Sequence, residues 1–474
     1  MSNNQPKVLL INPPSEFKTP LLPLGLAYIA AFLKTKGIEV SVIDAWAEQM
    51  SFEKLKERLS QKQADIVGIY IVSPRYNEGK MTIELCRKVF PKAMIAAGGP
   101  HPSAVPDEML KENHGLDICV IGEGEITMYE LAENLKNKSD LSTIDGIAFR
   151  NKQNNEIVRT RPRDFIKNLD ELPFPARELF PLEKYKTHPP YGRKNPYFSI
   201  MTIRGCPFQC AYCSKDVFKD NFRFASPKRV CDELEELISK YNAKEIHFYD
   251  DDFTINMERA GQICDEILKR GIKIRWSCTT RVDLVNEALL KKMKQAGCWM
   301  IAYGVESGNQ KILDAINKGY TVEKVVESFA LTKKIGILTL GYFMVGLPGE
   351  TKETVQETLA LAKKISPDFS SWGILVVYPG SRLFKFIKEG KYKGRLRTLD
   401  ENGNLAGTFF GKGNYLLFED NLTLKELREA VKRANIELYL RPKYIFQSLK
   451  NIRSFSDIVY YFNGGIAVIK AAIS

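Results

Sequence analysis

Three of the nine cysteines in this 474-residue chain fall within eight positions, as Cys206, Cys210 and Cys213 of "RGCPFQCAYCSKD". Such a triplet has three chemical readings. Disulfide frameworks belong to small secreted domains, whereas this chain is long, has an odd cysteine count and opens with "MSNNQPKVLLINPP", which does not read as a signal peptide. Structural zinc wants four ligands, and His101, His114, His188 and His247 all lie outside the triplet. His247 sits in the strand-like run "KEIHFYDD", where a packed imidazole is the simpler reading. Three thiolates at this spacing are better suited to an iron–sulfur cluster with one iron left without a protein ligand.

Other residues of the right chemical type follow the triplet. Asp250, Asp251 and Asp252 form an acidic run, which by itself reads as a solvated turn or a metal site. Thr279 and Arg281 come next, arginine being suited to bidentate carboxylate capture. Glu306 lies in "GVESG", and the turns "GLPGET" and "YPGS" complete the series. Before the triplet, Asn12-Pro13-Pro14, Ser73-Pro74, Gly98-Gly99-Pro100-His101 and Gly122-Glu123-Gly124-Glu125 occupy strand ends. Glycines there let a backbone approach a bulky ligand, but no GxGxxG or Walker pattern is present.

The elements that must position these residues alternate. "KVLLI", "EVSVID", "DIVGIYIVS", "AMIAAGGP" and "DICVIGEGE" read as strands separated by amphipathic helices, which predicts a doubly wound parallel sheet over residues 1–140. Its ligand belongs outside the carboxyl ends of the strands. Residues 141–191, with "NLDELPFPARELFPLEKY", read as a proline-rich linker over the surface. Within residues 192–415, six strand–helix steps begin at "YFSIMTIRG", "KEIHFYDDDF", "KIRWSCTTRVD", "CWMIAYGVESG", "LTLGYFMVGLPGE" and "SSWGILVVYPGS". Residues 416–474 read as a small helical region. Its first helix, "LTLKELREAVKRANIELYLRP", has Thr423 or Asn421 as N-cap, and "YIFQSLKNI" and "FSDIVYYFNGGIAVIKAAIS" add apolar faces with basic edges.

The spacing C-x3-C-x2-C with Tyr212 before the last cysteine, followed by these motifs in order, resembles the radical S-adenosylmethionine (SAM) superfamily. The N-terminal alternation, with "GGPHPS" and "GEGE", is similar to the cobalamin-binding domain fused to many of its members. The resemblance implies a Rossmann-like sheet, a partial (β/α)6 barrel with its chemistry at the strand C-termini, and three cofactors: a [4Fe–4S] cluster, SAM and cobalamin. Cys206, Cys210 and Cys213 would hold three irons, and SAM would chelate the fourth. Tyr212, the aspartates 250–252, Thr279, Arg281 and Glu306 would serve SAM. Ser73, Gly98, Gly99, His101, Gly122 and Glu123 would serve cobalamin. Glu350 would either cap the following helix or contact SAM. The loop 12–25 lacks the histidine of the D-x-H-x-x-G motif, which implies no histidine from that loop on cobalt. Cys86 and Cys119 read as small buried hydrophobes, which argues against the branch that carries a second cluster in this domain.

The expected activity is cobalamin-dependent methylation of an unactivated carbon in a small-molecule or lipid substrate. The alternative within the family is an anaerobic oxidative cyclase or ring-rearranging enzyme acting on a tetrapyrrole or lipid. A non-catalytic cobalamin sensor would keep the sheet but has no need of the triplet. Hydrophobic and charged fractions of 44% and 27% suit a globular protein with a sizeable core. No apolar run reaches membrane-spanning length. The net charge of +12 is scattered, without an arginine-rich arm or an RNA-binding signature, so nucleic acid is disfavoured. A flavodoxin- or ferredoxin-type electron donor and a reducing cytoplasm are the expected setting. The tail would close the open side of the barrel; peripheral membrane contact through Arg441, Lys443, Lys450, Arg453 and Lys470 is the alternative.

Overall fold

Short aliphatic runs, buried on both faces and ended by glycine, proline or asparagine, dictate the first sheet. In the computed structural model, which describes residues 5–151, 154–187, 191–392, 394–398, 416–442, 444, 446 and 465, these runs form five parallel strands. They are β1 (Lys7–Asn12), β2 (Glu39–Asp44), β3 (Ile66–Tyr70), β4 (Met94–Gly98) and β5 (Ile118–Val120), ordered β2-β1-β3-β4-β5.

The chain then departs from the expected linker. β6 (Ile147–Arg150) and β7 (Ile157–Arg159) continue the sheet antiparallel beyond β5. The physical reason is an apolar edge: β5 has only three residues, all buried, and Ile147 and Ala148 cover them. Among the described residues, 160–187 form a strap with buried anchors. Arg177 is fully buried and donates to Glu233 at 2.6 Å and to the Ser199 carbonyl at 3.2 Å. Arg163 ties the strap to Glu130 and Thr127.

The second sheet comprises β8 (Tyr197–Ile200), β11 (Glu245–Phe248), β12 (Arg275–Thr280), β13 (Cys298–Glu306), β14 (Leu338–Val345) and β15 (Phe369–Ile374). All are parallel, in the order β15-β14-β13-β12-β11-β8, with helices between successive strands: a six-stranded partial barrel. The first expected barrel strand breaks after Ile200. The Asp250 carboxylate accepts from the amides of Thr202 and Ile203 at 2.6 and 2.9 Å and draws them out of the ladder. β9 (Ile203–Arg204) and β10 (Arg223–Phe224) then pair with each other and bracket the cysteine loop.

A hairpin of β16 (Arg395–Thr398) and β17 (Leu416–Glu419) precedes the helix Leu424–Tyr439, which starts in a capping box formed by Thr423 and Glu426. That helix packs beside β15, where the Tyr439 hydroxyl donates to the Ser370 carbonyl at 2.7 Å. Arg441 donates to the carbonyls of Leu438 and Lys363, at 3.2 and 3.1 Å. The glycine-rich segment 403–414, most of the two further tail helices, and Lys443, Lys450, Arg453 and Lys470 lie outside the described residues. Among the described residues, no helix is long and apolar enough to cross a membrane.

One face of the first sheet carries its own core around Leu9, Val67 and Ile95. The other face shares a continuous apolar cluster with the barrel, running from Leu26 and Val120 through Phe198, Ile246 and Trp276 to Leu427.

Candidate active site

The cysteine loop leaves β9 through Gly205, whose φ of +87° and whose Cβ position, 2.3 Å from the Asn221 carbonyl oxygen, admit only glycine. Cys206 is half-buried, Cys210 buried and Cys213 exposed, and all three are free thiols. The Cys210 thiol is pulled down to about 6 by a hydrogen bond with Cys213, with Lys318 and Arg281 adding positive charge nearby. Burial pushes Cys206 up to about 11. Three soft donors on one short loop, two of them in contact beside fixed cations, fit a thiolate-ligated cluster of net negative charge.

The acidic run divides according to the alternation of an extended strand. Asp250 and Asp252 are buried; Asp250 holds the backbone entering the cysteine loop and also accepts from Thr202 Oγ1 at 2.6 Å. Asp252 accepts from Thr280 Oγ1 at 3.1 Å and the Arg281 amide at 2.7 Å. Burial raises their carboxyls to about 6 and about 7. Asp251 points the other way, with His247 and Tyr249, into a cavity of about 630 Å³ that Thr279, Tyr197 and Tyr342 also line. Asp250 and Asp252 thus hold the backbone, Asp250 also bordering this cavity, while Asp251 is the carboxylate left without such a backbone role.

Arg281 does not point its guanidinium freely into the cavity. It binds Asp283 through Nε and Nη2, both at 2.9 Å, and lies 3.8 Å above the Phe208 ring in the cysteine loop. Glu306, at the end of β13, has φ +64°, a strained conformation for a non-glycine residue. Its carboxylate accepts from the Tyr212 hydroxyl at 2.9 Å and from Lys318 at 2.8 Å. Glu350 closes its own turn by accepting from the amides of Gly346 and Leu347, and Thr351 caps the next helix in its place.

The cobalamin candidates fall into two groups. Gly98, Gly99, Gly122 and Glu123 line a cavity of about 240 Å³ at the carboxyl ends of β3 to β5, where Met201, Arg204 and Phe218 close the barrel side. Ser73 and His101 instead line a separate cavity of about 240 Å³, opposite Tyr378 and Pro379 of the "YPGS" turn. His101 Nδ1 lies 3.0 Å from Ser73 Oγ, its ring is 4.6 Å from Tyr76, and burial lowers it to about 4, so it is neutral. The Glu123 carboxylate is engaged by Arg204 and Arg223 across the domain boundary and does not stand free in its cavity. The glycine-lined floor and the apolar walls suit one face of a large, mostly neutral ligand such as a corrin, of which a cavity of about 240 Å³ encloses only a part. Cys86 and Cys119 are both buried.

Lys318, Arg204 and Arg223 are the site residues that the motifs do not reveal. Lys318 follows Glu306 by twelve positions in "NKGYT", a spacing with no generic meaning. The two arginines bracket the triplet, which is the only local signal of their place.

A radical SAM superfamily model matches residues 200–362, and a B12 binding domain model matches residues 15–132. An uncharacterized methyltransferase of Pyrococcus horikoshii is 32% identical over 450 residues, covering 94% of each chain. The anaerobic magnesium-protoporphyrin IX monomethyl ester cyclase of Rubrivivax gelatinosus is 32% identical over 370 residues, 77% of this chain and 66% of that protein. The solved structure of the radical SAM methyltransferase TsrM from Kitasatospora setae has the same fold, with TM-score 0.75 at 20% identity, covering 91% of this chain and 90% of that one. Fold and site thus define a radical SAM barrel joined to a corrin-binding sheet. The chain belongs to the cobalamin-binding radical SAM family. It is an enzyme, and its cofactors are a [4Fe–4S] cluster, SAM and cobalamin.

Proposed function

We propose that the enzyme is a C-methyltransferase that places a methyl group on an unactivated carbon of a small-molecule or lipid substrate. The observation that carries this reading is the shared wall. The glycine-lined cavity at the carboxyl ends of the first sheet is completed by Met201, Arg204 and Phe218 of the barrel half, which supports a ligand there bordering the segment that carries the cysteine loop. When bound, cluster and SAM supply a hydrogen-abstracting deoxyadenosyl radical, and cobalamin supplies the methyl group.

In this reading Cys206, Cys210 and Cys213 hold the cluster. Asp251 and Thr279 meet SAM from the cavity side, while Tyr212, Glu306 and Lys318 meet it from the cluster side. Asp250, Asp252 and Arg281 position the loops that carry those groups. Gly98, Gly99 and Gly122 give the corrin its close approach, and Ser73 and His101 serve its periphery. Glu123 acts through the barrel arginines. The substrate enters the cavity of about 630 Å³, whose tyrosines and neutral His247 offer neutral hydrogen-bonding groups beside the Asp251 carboxylate. The setting is a reducing cytoplasm, with the electron delivered by a flavodoxin- or ferredoxin-type protein. With a lipid substrate, the basic tail would bring the enzyme to an anionic membrane surface.

The 32% identity to a cyclase over 370 residues supports oxidative cyclisation as the second reading. Anaerobic incubation with methyl-deuterated SAM and extract of the source cells separates the two. The methyltransferase yields a deuterated metabolite together with 5′-deoxyadenosine and S-adenosylhomocysteine. Deoxyadenosine with a dehydrogenated product, and neither label transfer nor S-adenosylhomocysteine, would show the cyclase.

A further inference from the structure

The two halves of the chain are joined through charge as well as through apolar surface. Arg204 donates from Nη1 to Glu123 and from Nη2 to Glu125, each at 2.6 Å. Arg223 donates from Nη1 to both oxygens of Glu123, at 3.1 and 2.9 Å, and to the Ile166 carbonyl at 2.6 Å. The Ile166 amide returns a bond to Glu123 at 2.9 Å. All four side chains are at most 9% exposed. The guanidiniums are also sandwiched, Arg204 lying 5.1 Å from the Tyr28 ring and 5.7 Å from Phe218, and Arg223 lying 4.8 Å from Phe165.

The placement of this network matters more than its strength. Glu123 lies on the loop after β5 and Glu125 is the first residue of the following helix, Glu125–Asn137, both bordering the corrin cavity. Arg204 and Arg223 are the paired residues of β9 and β10, the two short strands from which the cysteine loop emerges, and Arg204 stands two residues before Cys206. Buried ion pairs contribute little stability beyond what well-packed apolar residues would. A planar guanidinium held by two carboxylates fixes direction as well as distance. Reactions at one substrate carbon served by two cofactors are sensitive to such placement, a misplacement of about 1 Å being able to cost about 10²-fold in rate.

We infer that Glu123, Glu125, Arg204 and Arg223 are positioning residues that set the separation and orientation of the cobalamin face relative to the cluster loop. They act through the two loops and do not themselves touch the reacting atoms. This goes beyond the assignment of methyl transfer and holds equally for a cyclase.

The test uses holoenzyme reconstituted anaerobically with cobalamin as Co(II) and the cluster reduced, each then carrying one unpaired spin. Pulsed electron paramagnetic resonance reads the dipolar coupling between them, and hence their separation. The wild-type chain should give one narrow separation. Glu123→Gln combined with Glu125→Gln should lose that narrow component while iron and cobalamin contents stay at wild-type levels. Because neutralising two buried carboxylates can prevent folding, Arg204→Lys is the second variant. Its lysine reaches only one carboxylate and should broaden the separation with both cofactors in place. An unchanged narrow separation in either fully loaded variant overturns the inference. So does loss of cobalamin with the cluster intact, because the network would then be building the corrin pocket and not spacing it.

Discussion

The ammonium of Lys318 stands 2.8 Å from the Glu306 carboxylate and 2.9 Å from the Tyr212 hydroxyl, closing a buried triangle behind the last cysteine of the cluster loop. Burial works against the charge of Lys318, but Glu306 and Tyr212 hold its pKa well above the ordinary lysine value. The triangle links β13, the cysteine loop and the segment after the helix Gln310–Ala315.

Breaking that pair from one side strands a buried carboxylate. Lys318→Met should cost about 3–5 kcal/mol, and Lys318→Met with Glu306→Gln should recover much of the loss. Urea denaturation of the apo chain measures both. Additive losses in the double variant would mean that the two groups are not coupled.

Each thiolate is expected to hold one iron, so Cys206→Ala, Cys210→Ala and Cys213→Ala should each abolish the [4Fe–4S] signal. Iron content and the reduced-state paramagnetic spectrum check this. A full four-iron cluster in any single variant would remove that cysteine from the ligand set.

His247 is buried, with Nδ1 2.9 Å from Ser277 Oγ, and burial lowers its pKa from 6.5 to about 4. Between those values the unfolded chain binds a proton that the folded chain does not. The contribution to stability is therefore complete above pH 6.5 and is lost as pH falls toward 4, amounting to about 3 kcal/mol at most. His247→Gln should lose less stability than the wild type over that window. Parallel stability curves would place a protonated imidazole in the folded core.

Adjacent glycines at the end of β4 should respond differently to a methyl group. At Gly99, with φ +107°, a Cβ would meet the Tyr70 ring at 2.8 Å and the Ile71 carbonyl oxygen at 2.9 Å. At Gly98 the nearest atom is Val120 Cβ, at 3.7 Å. Gly99→Ala should cost about 1–3 kcal/mol, while Gly98→Ala should remain within about 1 kcal/mol of wild type. Thermal unfolding of the apo variants distinguishes them, and equal effects would contradict the backbone geometry.

How far the sequence could be read depended on the range of the interaction. β1 to β5 are legible because each is a continuous apolar run closed by turn residues, and the cluster loop is legible because its ligands lie within eight positions. The split of the aspartates was available in the same way. His247, Tyr249 and Asp251 share one parity and Ile246, Phe248, Asp250 and Asp252 the other, as extended backbone requires. The β6–β7 hairpin escapes because strands of four and three residues leave too short a pattern beside a proline-rich run. The pairing of Glu123 with Arg204 spans 81 residues, and the partner of Lys318 is specified by a strand end and a strained backbone. Neither leaves a periodic trace.

The apolar cluster common to the first sheet and the barrel has a consequence for how the molecule comes apart. Leu26, Met128 and Val120 belong to the same buried body as Phe198, Ile246 and Trp276, so neither half can melt without wetting surface that the other depends on. Calorimetry should therefore record a single endotherm, and two resolved transitions would contradict the shared core. Two families of motif are strung along one chain as though they were interchangeable parts, yet the shared cluster predicts that the folded protein unfolds as one thermodynamic unit. A foreign corrin-binding sheet spliced onto this barrel would have to inherit its contact face as well as its ligand loops.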